Sequence, residues 1–207
     1  MLCGCQNIAT KDMNFDAIFA DGINVNTRSN NYTDYLEYYL PSDVVEDSSD
    51  ELSYSFCIDK NRFVMNINVS NIINYKYYYS KYNADEGFFD EDKLVYSIED
   101  ELYRGSTKVK FIFKAYEYED KCLLYFSSRD VNAYGYTNKQ DAVLLAKKMI
   151  QVAASADVDN DKIIADFSSM DVIDYQKSVD NLFGSYFPTD GRIDDLMIDK
   201  TQEVSEE

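Results

Sequence analysis

Residues 108–128 read KVKFIFKAYEYEDKCLLYFSS. Val109, Phe111, Phe113 and Ala115 alternate there with Lys108, Lys110 and Lys114, so a pleated strand sends an apolar row to one side and an ammonium row to the other. Glu119 and Asp120 supply a turn, residues 122–127 return as a second strand, and residues 131–136 add a third. The three lysines are read as the solvated face of a sheet, not as a nucleic-acid stripe.

Outward from this unit the same logic repeats. Residues 52–58 and 62–69 flank Asp59, Lys60 and Asn61 as a hairpin, and in its second strand Phe63, Met65, Ile67 and Val69 alternate with Val64, Asn66 and Asn68. Residues 94–102 form another strand ahead of Gly105. Thr137 and Gln140 have the spacing of a capping box, and they open a helix in which Ala142, Leu145, Ala146, Met149 and Ala153 share a face. Tyr32, Tyr35, Leu36, Tyr39 and Leu40 recur at helical spacing, which predicts a helix over 29–40 closed by Pro41. Residues 162–167 are expected as a strand and 175–183 as a short helix ending at Gly184, while 71–82 fits helix or strand. Hairpins imply antiparallel pairing, so the fold class is α+β: an antiparallel sheet of hairpins with two or three helices packed on one face.

Residues 1–28 are expected to be a terminal motif followed by a tether or loosely docked arm, 29–200 a single domain, and 201–207 a frayed acidic tail. No internal repeat occurs, and no apolar run is long enough to span a membrane.

Among 207 residues, hydrophobic types make up 45%, enough apolar surface to offset chain entropy in one folded domain. There are 19 Tyr and 12 Phe but no Trp. The run Tyr77, Tyr78, Tyr79 is read as structural tyrosine, with rings packed and hydroxyls wet, rather than as a carbohydrate-stacking platform. The net charge of -18 repels phosphate backbones, which argues against a nucleic-acid partner.

The chain begins Met1, Leu2, Cys3, Gly4, Cys5, Gln6. This resembles the bacterial lipobox, in which an aliphatic residue, a small residue and Gly, Ala or Ser precede the Cys that becomes lipid-modified. Leu2 matches the first position, Gly4 the third and Cys5 the thiol, while Cys3 departs from the commonest choice at the second. The resemblance implies that the rest of a signal peptide lies upstream of Met1 and that Cys5 becomes the first mature residue, carrying the lipid. It also implies a membrane partner through that lipid, a place on the extracytoplasmic face of the bacterial cell membrane, and an anchor whose paired acyl chains hold stably.

The absence of any His removes Ser-His-Asp and Cys-His mechanisms and the usual zinc and non-haem iron sites. No glycine-rich phosphate loop occurs, no cofactor is expected, and no catalytic residue is nominated. Cys3 and Cys5 lack a second ligand pair for zinc. Cys57 and Cys122 lie in apolar strand-like segments and are read either as a disulfide, which an oxidising compartment permits, or as two buried thiols. Asp157, Asp159 and Asp161 occupy the first, third and fifth positions of a calcium loop, but Lys162 and Ser168 stand where that loop needs Gly and Glu. An EF-hand is excluded, leaving a weak Ca²⁺ candidate against a plain connecting loop. Asp85, Glu86, Asp90, Glu91 and Asp92 around Gly87 read as a solvated loop. The sequons at Asn31 and Asn68 carry no meaning in a bacterial setting.

The function these readings favour is a non-enzymatic envelope lipoprotein whose extracytoplasmic domain binds a partner protein or wall component. The alternatives are a carboxylate-dependent glycan hydrolase, which requires two facing carboxyls, and a small solute-binding lipoprotein.

Overall fold

The computed structural model describes residues 13–20, 25, 28–78 and 89–168. In chain order the elements are α1 (Asp16–Phe19), β1 (Asn31–Tyr32), β2 (Leu36–Tyr38), β3 (Val45–Ser49), β4 (Ser53–Ile58), β5 (Asn61–Ile67) and α2 (Val69–Tyr78). A 3-10 turn at Glu91–Lys93 leads into β6 (Leu94–Arg104), β7 (Thr107–Tyr118), β8 (Lys121–Ser128), β9 (Val131–Asn138), α3 (Lys139–Ser155), β10 (Asp157–Val158) and α4 (Asn160–Phe167). The class is α+β, dominated by a seven-stranded antiparallel sheet in the order β3-β4-β5-β9-β8-β7-β6. Two meanders, β3-β4-β5 and β6-β7-β8-β9, meet at the central β5–β9 pair. A smaller three-stranded sheet, β1-β2-β10, stands beside it.

Tight turns set the registers. Asp59 (φ 51°), Gly105 (φ 62°) and Glu119 (φ 50°) each open a two-residue hairpin loop in the left-handed conformation that matches strand twist. The expected hairpins therefore form as read. In register, Phe56, Phe63, Gly135, Leu124, Ala115 and Tyr96 make one row across the sheet's first face. Gly135 and Ala133 leave a trough over β9, and α3 fills it with Leu145 and Met149, both fully buried. Apolar residues at helical spacing bury one stripe of α3 against this trough, which is how a sheet and a helix share one core.

Several expectations are corrected. Residues 29–40 form β1 and β2 instead of a helix. Asn30 Oδ1 accepts from Leu40 N at 2.7 Å, its Nδ2 donates to Leu40 O at 2.9 Å, and Thr33 N donates to Leu36 O at 2.9 Å, so local polar groups close a loop that competes with the helical ladder. Residues 160–167 are helical, not a strand: Asp159 caps the first turn by accepting from Lys162 N at 3.0 Å, and Ile163 and Phe167, four apart, bury the same stripe. No capping box forms. Thr137 lies within β9 with its hydroxyl donating to Asn61 Oδ1 at 2.6 Å, and Asn138 occupies the N-cap without a side-chain capping bond. Nor do the helices make a single layer, since α3 lies on the sheet while α2 and α4 pack mainly on each other. The ambiguous stretch resolves as α2.

Within the expected arm, Phe15 is buried, its ring 5.6 Å from that of Phe113 and 5.4 Å from Tyr96, and Tyr96 donates to Asp16 at 3.0 Å. The expected helix at 175–183, the tail at 201–207 and the terminal Cys3 and Cys5 lie outside the described residues. Among those described, no helix is long and apolar enough to cross a membrane.

Candidate binding surface

The loop that replaces the expected helix lines a concave surface at the small sheet. β2 and β10 pair antiparallel with Glu37 opposite Asp157 and Leu36 opposite Val158. Tyr32, Asp34, Glu37, Asp157 and Asp159 edge a hollow of about 360 Å³. A second hollow of about 540 Å³ shares Tyr32 and Asp34 and reaches Glu46. The Tyr32 side chain stands between the two as an exposed fin (71% exposed), its hydroxyl donating to Ser29 O at 2.9 Å.

Like charges directly opposite on paired strands repel, so the Glu37–Asp157 pairing stabilises nothing by itself. Cations of the same chain partly offset it. Arg104 donates to Asp157 Oδ1 at 2.9 Å and also to Ala156 O, while Lys162 Nζ donates to Asp34 O at 2.9 Å and stands 4.8 Å over the Tyr35 ring. Behind the hollow, Tyr35 is buried with its hydroxyl 3.0 Å from Asp166 Oδ2 and 3.1 Å from Glu51 Oε1. Burial first, then the Asp166 and Glu51 carboxylates, push this phenol well above its ordinary range. Tyr38 is fully buried and donates a short hydrogen bond to Glu46, with burial and that carboxylate raising it likewise. Both phenols stay protonated, Tyr35 donating to one of its two carboxylates at a time and Tyr38 to Glu46.

The structure distributes the residues singled out in the sequence as follows. Asp157, Asp159 and Asp161 do not converge: the first pairs with Arg104, the second caps α4, and the third is an exposed carboxylate 4.0 Å from Lys76. Among the described residues no group of three or more His, Cys, Asp or Glu side chains is placed to hold a metal. Cys57 and Cys122 are free thiols. The disulfide reading is overturned by topology: β5 and β9 lie between β4 and β8, so three strand spacings of about 4.8 Å separate the two cysteines, beyond the roughly 7 Å limit between bridged Cα atoms. Cys122 also faces the main core, whereas Cys57 belongs to the opposite row with Arg62 and Tyr136. Burial and then Glu117 push the Cys122 thiol up to about 12, which leaves it inert.

Lys108 and Lys110 are exposed as expected, with Lys108 paired to Glu101. Lys114 is more enclosed, donating to Glu91 at 2.9 Å. Tyr77 and Tyr78 fall on α2, where Tyr77 is 55% exposed, and Tyr79 lies outside the described residues, as do Asp85, Glu86 and Gly87. Sequence reasoning missed Tyr32, Asp34 and Glu37. Tyr32, Tyr35 and Leu36 keep helical spacing, so the sequence carries no signal that sets these residues around a hollow. No protein-family model matches this chain, and no curated protein matches it in sequence.

Proposed function

We propose that this chain is the exported domain of a bacterial envelope lipoprotein, held to the membrane by lipid on Cys5, which binds a partner outside the cell membrane without turning it over. The observation that carries the binding half is the paired hollow around Tyr32, edged by Asp34, Glu37, Asp157 and Asp159. An exposed ring beside several carboxylates favours ammonium or guanidinium groups, through cation–π and charge-assisted contacts. A basic partner protein or an amino-bearing wall component fits that chemistry. Asp157 is engaged by Arg104, Asp159 by the first turn of α4 and Asp34 by Lys162 at 3.9 Å, which supports a fixed recognition surface. The anchoring half rests on Leu2, Gly4 and Cys5.

The test labels cells expressing the gene with its native upstream sequence with a radioactive fatty acid. Label is expected in the wild type and absent from Cys5→Ala, and an unlabelled wild type would remove the anchor. For the binding half, Tyr32→Ala with Glu37→Gln is expected to abolish retention of wall fragments or basic proteins. Glycan cleavage by wild type that Glu37→Gln destroys would instead establish the hydrolase reading, with Glu37 and Asp157 as the facing carboxyls.

A further inference from the structure

The seven-stranded sheet ends on unequal edges. On one side β3 has five residues and a register shift between Glu46 and Ser48, the kind of short, bulged edge that resists pairing. On the other, β6 runs for 11 residues and, among the described residues, pairs only with β7. Its other rim has no strand partner among the described residues, although Glu101 N donates to Asp100 Oδ1 at 2.8 Å, and a rim of this length is a template for another strand.

Both ends of that rim are fixed. Near the start, Tyr96 packs against Phe15 and donates to Asp16. At the end, Arg104 is bonded to Ala156 O and to the Asp157 carboxylate in the wall of the hollow. A strand held in this way loses little freedom when a partner adds to it. Its side chains also state what the partner must be. Glu99 and Asp100 are exposed at the centre, Glu101 pairs with Lys108, and Val95 (49% exposed) and Tyr103 (65%) offer apolar surface towards the two ends.

A second copy of this chain is a poor occupant. Antiparallel pairing about the middle of β6 would set Glu99 against Glu99 of the copy, and like charges directly opposite are destabilising. A partner strand with lysine or arginine at alternate positions presents them on one face, where they meet Glu99 and Glu101, which share that side of β6. The acidic stretch is continuous in the chain with Arg104, so such a strand would extend towards the anionic hollow around Tyr32.

We infer that the open edge of β6 accepts an extended basic segment of another protein as an eighth strand, held by main-chain hydrogen bonds and selected by Glu99 and Glu101 on one face. This rests on the binding reading above and specifies its partner as a basic, extended polypeptide.

The test uses the full chain, unacylated, at 0.15 M salt, and a fluorescent ten-residue peptide alternating lysine with threonine. Binding is followed by anisotropy and located by amide hydrogen exchange. The peptide is expected to bind and to slow exchange in residues 94–104 but not in 45–49. N-methylation of alternate peptide amides, which keeps the charge but removes main-chain donors, is expected to weaken binding at least tenfold. Glu99→Lys with Glu101→Lys is expected to do the same while leaving the circular dichroism unchanged. Equal binding by the N-methylated peptide, protection elsewhere than β6, no binding at all, or a β6-paired dimer of the free protein would each overturn the inference. Because no lipid is involved, these failures leave the fatty-acid result untouched, and loss of labelling leaves the edge intact.

Discussion

The two faces of the large sheet are built from different aromatic chemistry. The first face buries Phe56, Phe63, Phe111, Phe113 and Phe126 with Met65 and Ile67, and α3 closes over the small residues Ala133 and Gly135. The second carries Val64, Leu123, Tyr116, Tyr125, Tyr134 and Tyr136 in a separate buried cluster, on which Phe89 rests with its ring 5.2 Å from Tyr116, 5.8 Å from Tyr125 and 6.3 Å from Tyr134. It also holds a polar row, where Ser127 donates to Asn132 Oδ1 at 2.5 Å and Asn66 Oδ1 meets no donor among the described residues. Strand alternation permits this division, because neighbouring residues of β8 and β9 serve opposite faces. A face sealed by a helix can be wholly apolar, whereas one built of tyrosine keeps a polar atom on every ring and must satisfy it.

The largest expected effect comes from forcing those hydroxyls to ionise. Burial above all pushes Tyr118 and Tyr136 up to about 12, and Tyr116 higher still with help from Glu91. A phenol raised in the folded state contributes stability that is fully present below its unfolded value of about 10 and lost as pH rises towards its folded value. Above about pH 10 the unfolded chain releases these protons first, so stability falls with pH. Absorbance at 295 nm is expected to show a cooperative step between about pH 10 and 12, coincident with loss of circular dichroism. Tyr116→Phe with Tyr136→Phe is expected to move that step upward. A step unmoved by the double change, or tyrosine ionisation without unfolding, would show that the second face is open to solvent.

Next in size is truncation of one anchor on each face. Phe126 is fully buried on the first face, and Phe126→Ala is expected to cost about 4–5 kcal/mol by urea unfolding. Phe89, at the margin of the second cluster with 5% exposure, is expected to cost about 3 kcal/mol as Phe89→Ala, because a site on the outer side of the sheet can collapse or rehydrate. Equal costs would mean that the two faces are equally rigid and that the contrast between them is only compositional.

Much of the first face was legible in the sequence because one pattern decided it. In β7 charged and apolar residues alternate, and Glu119 in the left-handed conformation fixes the register of the return strand. The buried stripe of α3 was legible for the same reason. The small sheet was not. Tyr32, Tyr35 and Leu36 have helical spacing, and the local hydrogen bonds of Asn30 and Thr33, which form only when the chain bends back, compete with the helix. The hollow was hidden for a related reason, since every strand of the large sheet lies between Glu37 and Asp157 in the chain. The unlinked cysteines follow from parity and strand order, and strand order depends on how the two meanders join.

The smallest change tests whether the faces are independent. Gly135 lies in β9 between Tyr134 and Tyr136, so a methyl group added there points to the first face while both neighbours serve the second. That methyl would come within 3.2 Å of Leu145 Cδ2, 3.4 Å of Met149 Sδ and 3.5 Å of Phe63 Cβ. The first two atoms end flexible side chains, which can give a few tenths of an ångström, and alanine also restricts the unfolded chain. Overpacking of about 1–3 kcal/mol is thus partly offset, and Gly135→Ala is expected to lose only about 1 kcal/mol. The methyl resonances of Leu145 and Met149 should shift while the alkaline tyrosine step moves no further than that loss requires. If the tyrosine resonances of Tyr134 and Tyr136 move as much as those of Leu145, strain crosses β9, and the two clusters act as one core despite their separate contacts.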